Sequence, residues 1–211
     1  MSAAAPFYRD LRALGFEDAG PLPQYAAPVR PGPWRRALAF VLLPGAPVLP
    51  DVTAVPEPPP EGRWSRLAEE LAPGFGALSD FGPRSSSAPD ASGAHLLRGE
   101  RVMAACRFAA RPDAGDVLRV TDWLAPADEP ELAAALLRAA LAAASGQGAG
   151  RVAVETPHAG LGAGLQIARF LPGRSRARIL MRPASRDEPI PRTDAWHFST
   201  RSQLKLPPPL V

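Results

Sequence analysis

Apolar positions recur along the chain with two periods, one helical and one extended. Over residues 6–14, Phe7, Leu11 and Leu14 stand four and three apart and form one stripe of a short helix, which Gly15 stops. Residues 64–71 predict a second short helix closed by Pro73 and Gly74. Residues 131–144 are rich in Ala and Leu. They place Leu132, Leu136, Leu137 and Leu141 on one face, with Pro130 in the first turn, where proline is tolerated, and Gly146, Gly148 and Gly150 at the end. A last helix is expected over residues 158–170, interrupted lightly by Gly160, Gly162 and Gly164.

Between the helices the period changes to two. Residues 95–97 and 101–109 flank a turn at Arg98, Gly99 and Glu100, and Val102, Ala104, Cys106 and Phe108 alternate as one face of a strand. A second turn over residues 111–115 leads into a strand over 116–123, which completes an antiparallel meander. Residues 151–156 and 176–181 read as two further strands. The order β-β-β-α-β-α-β predicts an α/β (α+β) fold, a mixed and largely antiparallel sheet flanked by helices.

Ahead of this pattern the chain changes character. Residues 16–29 contain Gly20, Pro21 and Pro23, which suit an edge strand or extended arm, and residues 37–43 are apolar enough to be buried. Proline is dense over residues 44–60, within a chain of 27 Pro and 18 Gly. The expected organisation is therefore a helix-strand appendage over residues 1–43, a Pro-rich linker over 44–62, the main domain over 63–200, and a flexible tail over 201–211. An apolar fraction of 46% in 211 residues is enough for a working core.

Composition excludes several chemistries. A single cysteine, Cys106, forbids an internal disulfide, and with three scattered histidines, His95, His158 and His197, no metal site is expected. No apolar run is long enough to span a bilayer, and residues 1–16 carry charges in a helical pattern, so no membrane association and a cytoplasmic location are expected. The net charge is only +3, and every basic residue except Lys205 is Arg. Arg174, Arg176, Arg178 and Arg182 alternate as a basic strand face. Aromatics do not interleave with them, so nucleic acid is not an expected partner. Cys106 shares its strand face with apolar residues and reads as packing, and His158 reads as an exposed loop residue.

The meander Asp116-Val117-Leu118-Arg119-Val120-Thr121-Asp122-Trp123, the helix after it, the strand Arg151-Val152-Ala153-Val154-Glu155-Thr156 and the closing helix and strand together resemble the core of the GNAT superfamily of N-acyltransferases, over residues 93–181. Near the N-terminus, Phe7-Tyr8-Arg9 and Leu14-Gly15-Phe16 are similar to the helix end that precedes the last strand of a GNAT domain, with Tyr25 and Pro31 continuing in that style. The chain thus resembles an N-terminally shortened double-GNAT protein, residues 1–43 being a remnant of the first unit. Trp196, His197, Phe198 and Ser199 resemble the Trp-containing segment that closes some GNAT domains.

The resemblance implies transfer of an acyl group from acetyl-CoA or another acyl-CoA to a small-molecule or peptide amine. Asp122 and Glu155, each ending a central strand, are the candidate general bases. Backbone amides around Trp123, Leu124, Ala125 and Ala127 are the candidate cofactor contacts. Two departures stand against this. The loop over residues 124–130 has no glycine and carries Asp128 and Glu129, with Glu131 following, where the family binds a pyrophosphate through backbone N–H groups. The family's tyrosine acid on the last helix is replaced by Leu165-Gln166-Ile167. The alternative is a catalytically silent GNAT-fold module that binds a protein partner or forms a homodimer.

Overall fold

The structure is a computed structural model that describes residues 7–30, 49–75, 77–78, 92–110, 116–173, 177–181 and 196–197. Four α-helices are present among them: α1 (Phe7–Ala13), α2 (Glu61–Leu71), α3 (Pro130–Gly146) and α4 (Ala159–Ile167). The strands are β1 (Glu17–Pro21), β2 (Gln24–Pro28), β3 (Thr53–Val55), β4 (Ala77–Leu78), β5 (Ser92–Arg98), β6 (Arg101–Ala110), β7 (Val117–Leu124), β8 (Arg151–Glu155), β9 (Leu171–Gly173), β10 (Arg178–Met181) and β11 (Trp196–His197).

Seven strands form the main sheet in the order β3-β5-β6-β7-β8-β2-β9, antiparallel throughout except for the parallel pair β7 and β8. The antiparallel meander, the crossover through α3 to a parallel strand and the helix after it are the arrangement that the GNAT resemblance implies, and the chain has a GNAT-like fold. β1 pairs with β10, and β4 with β11, as two small separate ladders. No helix among the described residues is long and apolar enough to cross a membrane.

The core lies on both faces of the sheet. On one side, Leu132, Leu136, Leu137 and Ala140 of α3 meet Leu96, Ala104, Cys106, Phe108, Val120 and Val152. On the other, Trp64, Leu67 and Ala68 of α2 cover Val102, Ala105 and Leu124. At about 25 cal/mol per Å² of buried apolar surface, these two layers are the main stabilising contribution.

Three local readings change with the structure. Val102 does not share a face with Ala104, Cys106 and Phe108. Leu96 pairs with Ala104 and Leu97 with Val102, so Met103 is an extra residue in a bulge, and the alternation slips by one. The Pro-rich stretch contains β3, an edge strand on β5, and Pro58 packs closely over Gly93, where any Cβ would collide with the Cys106 carbonyl. The segment read as an arm holds an interior strand, β2, flanked by β8 and β9. Interior pairing survives there because Pro23 and Pro28 bracket the strand, leaving the N–H groups of residues 24–27 for the ladders. The apolar run 37–43, the turn 111–115, Arg174, Arg176, Arg182, Phe198, Ser199 and the tail 201–211 lie outside the described residues.

Candidate functional site

β7 and β8 begin as a parallel pair and then part. Val117, Leu118 and Arg119 pair with Arg151, Val152 and Ala153, and no pair follows, although β7 continues to Leu124 and β8 to Glu155. The outer side of β8 is meanwhile held by β2, with Gln24 opposite Glu155 and Ala27 opposite Val152. A bulge helps turn β7 away: Arg107 faces Asp122 and Phe108 faces Val120 across β6, so Thr121 is the additional residue.

The parting places both candidate bases on the sheet face away from α3. Glu155 is 7% exposed and bonds to the Arg119 guanidinium, two residues before the bulge on the other strand. Asp122 is 4% exposed and lies opposite Arg107 in the ladder, with the Thr121 hydroxyl 3.3 Å from its Oδ2 and donating to the Arg107 carbonyl at 3.3 Å. Arg107 in turn bonds Glu61 of α2 at 2.5 Å and lies 4.4 Å over the Trp64 ring. Asp122 thus lies across the ladder from one arginine, and Glu155 is paired with another.

Of the four candidate cofactor residues, Trp123 and Leu124 end β7, and Ala125 and Ala127 follow in the loop before α3. Trp123, Leu124 and Ala125 are buried at 2%, 0% and 0%. Ala127 turns its carbonyl onto the first turn of α4, so close that a Cβ on Gly160 would stand 2.1 Å from that oxygen. Gly164 makes a similar approach one turn later, against Ala133 of α3. Asp128 and Glu129 are exposed at the start of α3, and no side chain caps that helix. His158, read from sequence as an exposed loop residue, is instead buried and caps α4. Its Nδ1 accepts from the Gly160 N–H at 3.1 Å and faces that of Leu161 at 3.5 Å. The Phe75 ring meets His158 edge-on at 5.0 Å and belongs, with Trp123, Ala125 and Leu161, to the main core.

Arg119 and Arg107 adjoin the two candidate bases, while Phe75 and His158 meet at the start of α4; of these four, sequence reasoning singled out only His158. Strand alternation does carry a signal for Arg119: it faces away from Leu118 and Val120, as Glu155 faces away from Val154. Phe75 reaches the core through the tertiary fold alone. Cys106 lies wholly buried, and burial pushes its thiol up to about 12, which suits packing rather than nucleophilic chemistry. Arg178, expected in a basic face, bonds Asp18 at 2.6 Å. A surface cavity of about 420 Å³ at the β5–β6 turn is lined by Arg63, Arg66, Glu70, Glu100 and Arg101, none of them a candidate site residue. Among the described residues, no group of three or more His, Cys, Asp or Glu gathers where it would hold a metal ion.

No protein-family model matches the sequence, and no curated protein matches it. Among solved structures, the chain is similar to a GCN5-related N-acetyltransferase from Kribbella flavida, 13% identical, covering 71% of this chain and 54% of that one with a TM-score of 0.42. It is also similar to a GCN5-related N-acetyltransferase from Anabaena variabilis, 15% identical over 74% of this chain and 38% of that one, TM-score 0.45. A third similarity is to L-PGS from Bacillus licheniformis, 13% identical over 72% of this chain and 49% of that one, TM-score 0.41. The chain spans about half the length of the first of these.

Proposed function

We propose that this chain is a GNAT-fold module that binds a protein partner and does not transfer acyl groups. The carrying observation is the start of α3, where Asp128 and Glu129 are exposed and Glu131 stands in the first turn. The surrounding chemistry supports the same reading. A pyrophosphate needs free N–H donors and a positive helix end. The loop over residues 124–130 has no glycine and carries Asp128 and Glu129, with Glu131 following, and these charges repel a pyrophosphate at that helix end.

One observation favours a second reading, acyl transfer from acyl-CoA to an amine with Asp122 or Glu155 as base: the two strands do part, as a cleft between them would require. Titration of the protein with acetyl-CoA and longer acyl-CoAs by calorimetry, beside a thermal-shift scan, separates the two, because a ligand of the native state must raise its stability. No heat and no shift at millimolar concentration are expected. Saturable one-to-one binding overturns the silent reading, and loss of that binding in Asp122→Asn or Glu155→Gln would then assign the base.

A further inference from the structure

α2 carries most of its charges against its own dipole. Arg63 stands in the first turn and Arg66 one turn on, whereas the last turn holds Glu69 and Glu70 and no basic residue. Acids at the start of a helix and bases at its end stabilise it, so this order is unfavourable unless neighbouring groups offset it. Two offsets are in place. Glu61, the acid of the first turn, bonds Arg107 at 2.5 Å, and Glu70 bonds Arg101 at 2.9 Å. These two pairs also fix the direction of α2, which runs antiparallel to β6 from Arg107 toward Arg101, with its last turn beside the β5–β6 turn. Arg63 and Arg66 are exposed, and among the described residues neither makes an ion pair. Three positions apart on one helix, they are like charges held as neighbours.

Both arginines line the cavity of about 420 Å³. Arg63, Arg66, Leu67 and Glu70 fall on one stripe of α2, and Glu100, Arg101 and Val102 close the cavity from the β5–β6 turn. Leu67 and Val102 are buried and form its apolar floor. The direction of α2 gives the cavity two poles: the guanidinium groups of Arg63 and Arg66 at one end, and the Glu100 carboxylate with the Arg101–Glu70 pair at the other. Its volume lies within the range of about 300–1,000 Å³ that small-molecule sites occupy, well beyond the needs of a lone oxyanion.

We infer that this cavity binds a small phosphorylated sugar or polyol, with the phosphate against Arg63 and Arg66 and the hydroxyl groups toward Glu100 and Arg101. A guanidinium presents its N–H donors in a planar fork that matches phosphate oxygens. A phosphomonoester dianion there offsets both the repulsion between the two arginines and their conflict with the helix dipole. At the other pole a carboxylate accepts from hydroxyl donors, whereas a second phosphate would meet the charge of Glu100. Among the described residues no aromatic ring lines the cavity, so a nucleobase finds nothing to stack on. None of the lining residues lies on β7 or β8, and occupancy of the cavity is independent of whether acyl-CoA binds between those strands.

Calorimetric titration of the full chain tests this at about 0.05 M ionic strength, where exposed charges are only partly screened. The probes are glucose, ribose and glycerol, each as its terminal phosphomonoester, with free glucose and inorganic phosphate as controls for the two halves of the ligand. At least one phosphorylated probe is expected to bind saturably and about tenfold more tightly than inorganic phosphate, and free glucose is expected not to bind. Arg63→Gln and Arg66→Gln, both at exposed positions, are each expected to weaken that binding about tenfold. Arg98→Gln is the control for general charge, since Arg98 stands on the same turn, bonds Asp51 at 2.7 Å and does not line the cavity; it is expected to change nothing. Absence of binding by all three phosphorylated probes at about 10 mM overturns the assignment. So does inorganic phosphate that binds as tightly as the best of them, binding that survives both Arg63→Gln and Arg66→Gln, or an equal loss in Arg98→Gln.

Discussion

Arg119 and Glu155 are joined across β7 and β8 at the rung where the two strands separate. The Glu155 side chain is 7% exposed and that of Arg119 25%, so the guanidinium is the principal compensation for a carboxylate taken out of water. Removing one partner of a pair this deep leaves an uncompensated buried charge, and Arg119→Ala is expected to cost about 2–4 kcal/mol in urea unfolding. The double variant Arg119→Met with Glu155→Leu should recover most of that loss, since well-packed apolar replacements of a buried pair are often neutral or better. If the single and double variants are equally destabilised, the pair is not what holds the parted strands.

The approach of α4 to α3 depends on residues without side chains. A Cβ at Gly160 meets the Ala127 carbonyl oxygen at 2.1 Å, and one at Gly164 meets the Ala133 Cβ at 2.6 Å. Alanine gains about 1 kcal/mol over glycine in helix propensity, but overpacking against backbone costs about 1–3 kcal/mol and moves the helix as a whole. Gly160→Ala is therefore expected to be net destabilising, measured as a lower denaturation midpoint at unchanged slope. A net gain in midpoint would mean that the gap between α4 and the Ala127 loop opens at little cost.

Much of this arrangement is legible in the sequence, and the unreadable parts have physical causes. The α3 stripe of Leu132, Leu136 and Leu137 and the alternation of β6 and β7 are local signals, and they place the meander, the crossover and the ends of the strands carrying Asp122 and Glu155. The bulges at Met103 and Thr121 are not marked by Gly or Pro, so the face of Val102 could not be read. The place of β2 between β8 and β9 is decided by pairing across more than a hundred residues, which no local pattern encodes. The same holds for Phe75 against His158. The acidic, glycine-free loop before α3 was readable, because charge at a helix end is a matter of composition alone.

Gly15 closes α1 at a φ of 85° with nothing within 4 Å of where a Cβ would stand. Any cost of a side chain there is therefore one of backbone conformation alone. Gly15→Ala is expected to destabilise by about 1 kcal/mol, and Gly15→Asn by less, because Asn tolerates the left-handed region better. Equal stability of all three, measured by thermal unfolding, would mean that the α1 ending is not part of the cooperative fold.

Asp18 ties α1 to β10, accepting from the Tyr8 hydroxyl, from Arg178 at 2.6 Å and from the Gly20 N–H at 2.9 Å. Burial works against its charge, but the Arg178 hydrogen bond, then those of Tyr8 and Gly20, outweigh it and lower the carboxyl from 3.8 to about 2. The folded state therefore binds this proton more weakly than the unfolded chain does. The stabilisation is fully present above about pH 4, and it fades as the pH falls toward 2, because the unfolded chain protonates first. Asp18→Asn is expected to cost about 1–2 kcal/mol at neutral pH, and its difference from the parent should shrink through that window. Unfolding curves of both proteins from pH 6 down to pH 2 check the sign. A difference that stays constant or widens as the pH falls would show that the carboxylate is not the group that fastens α1 to β10.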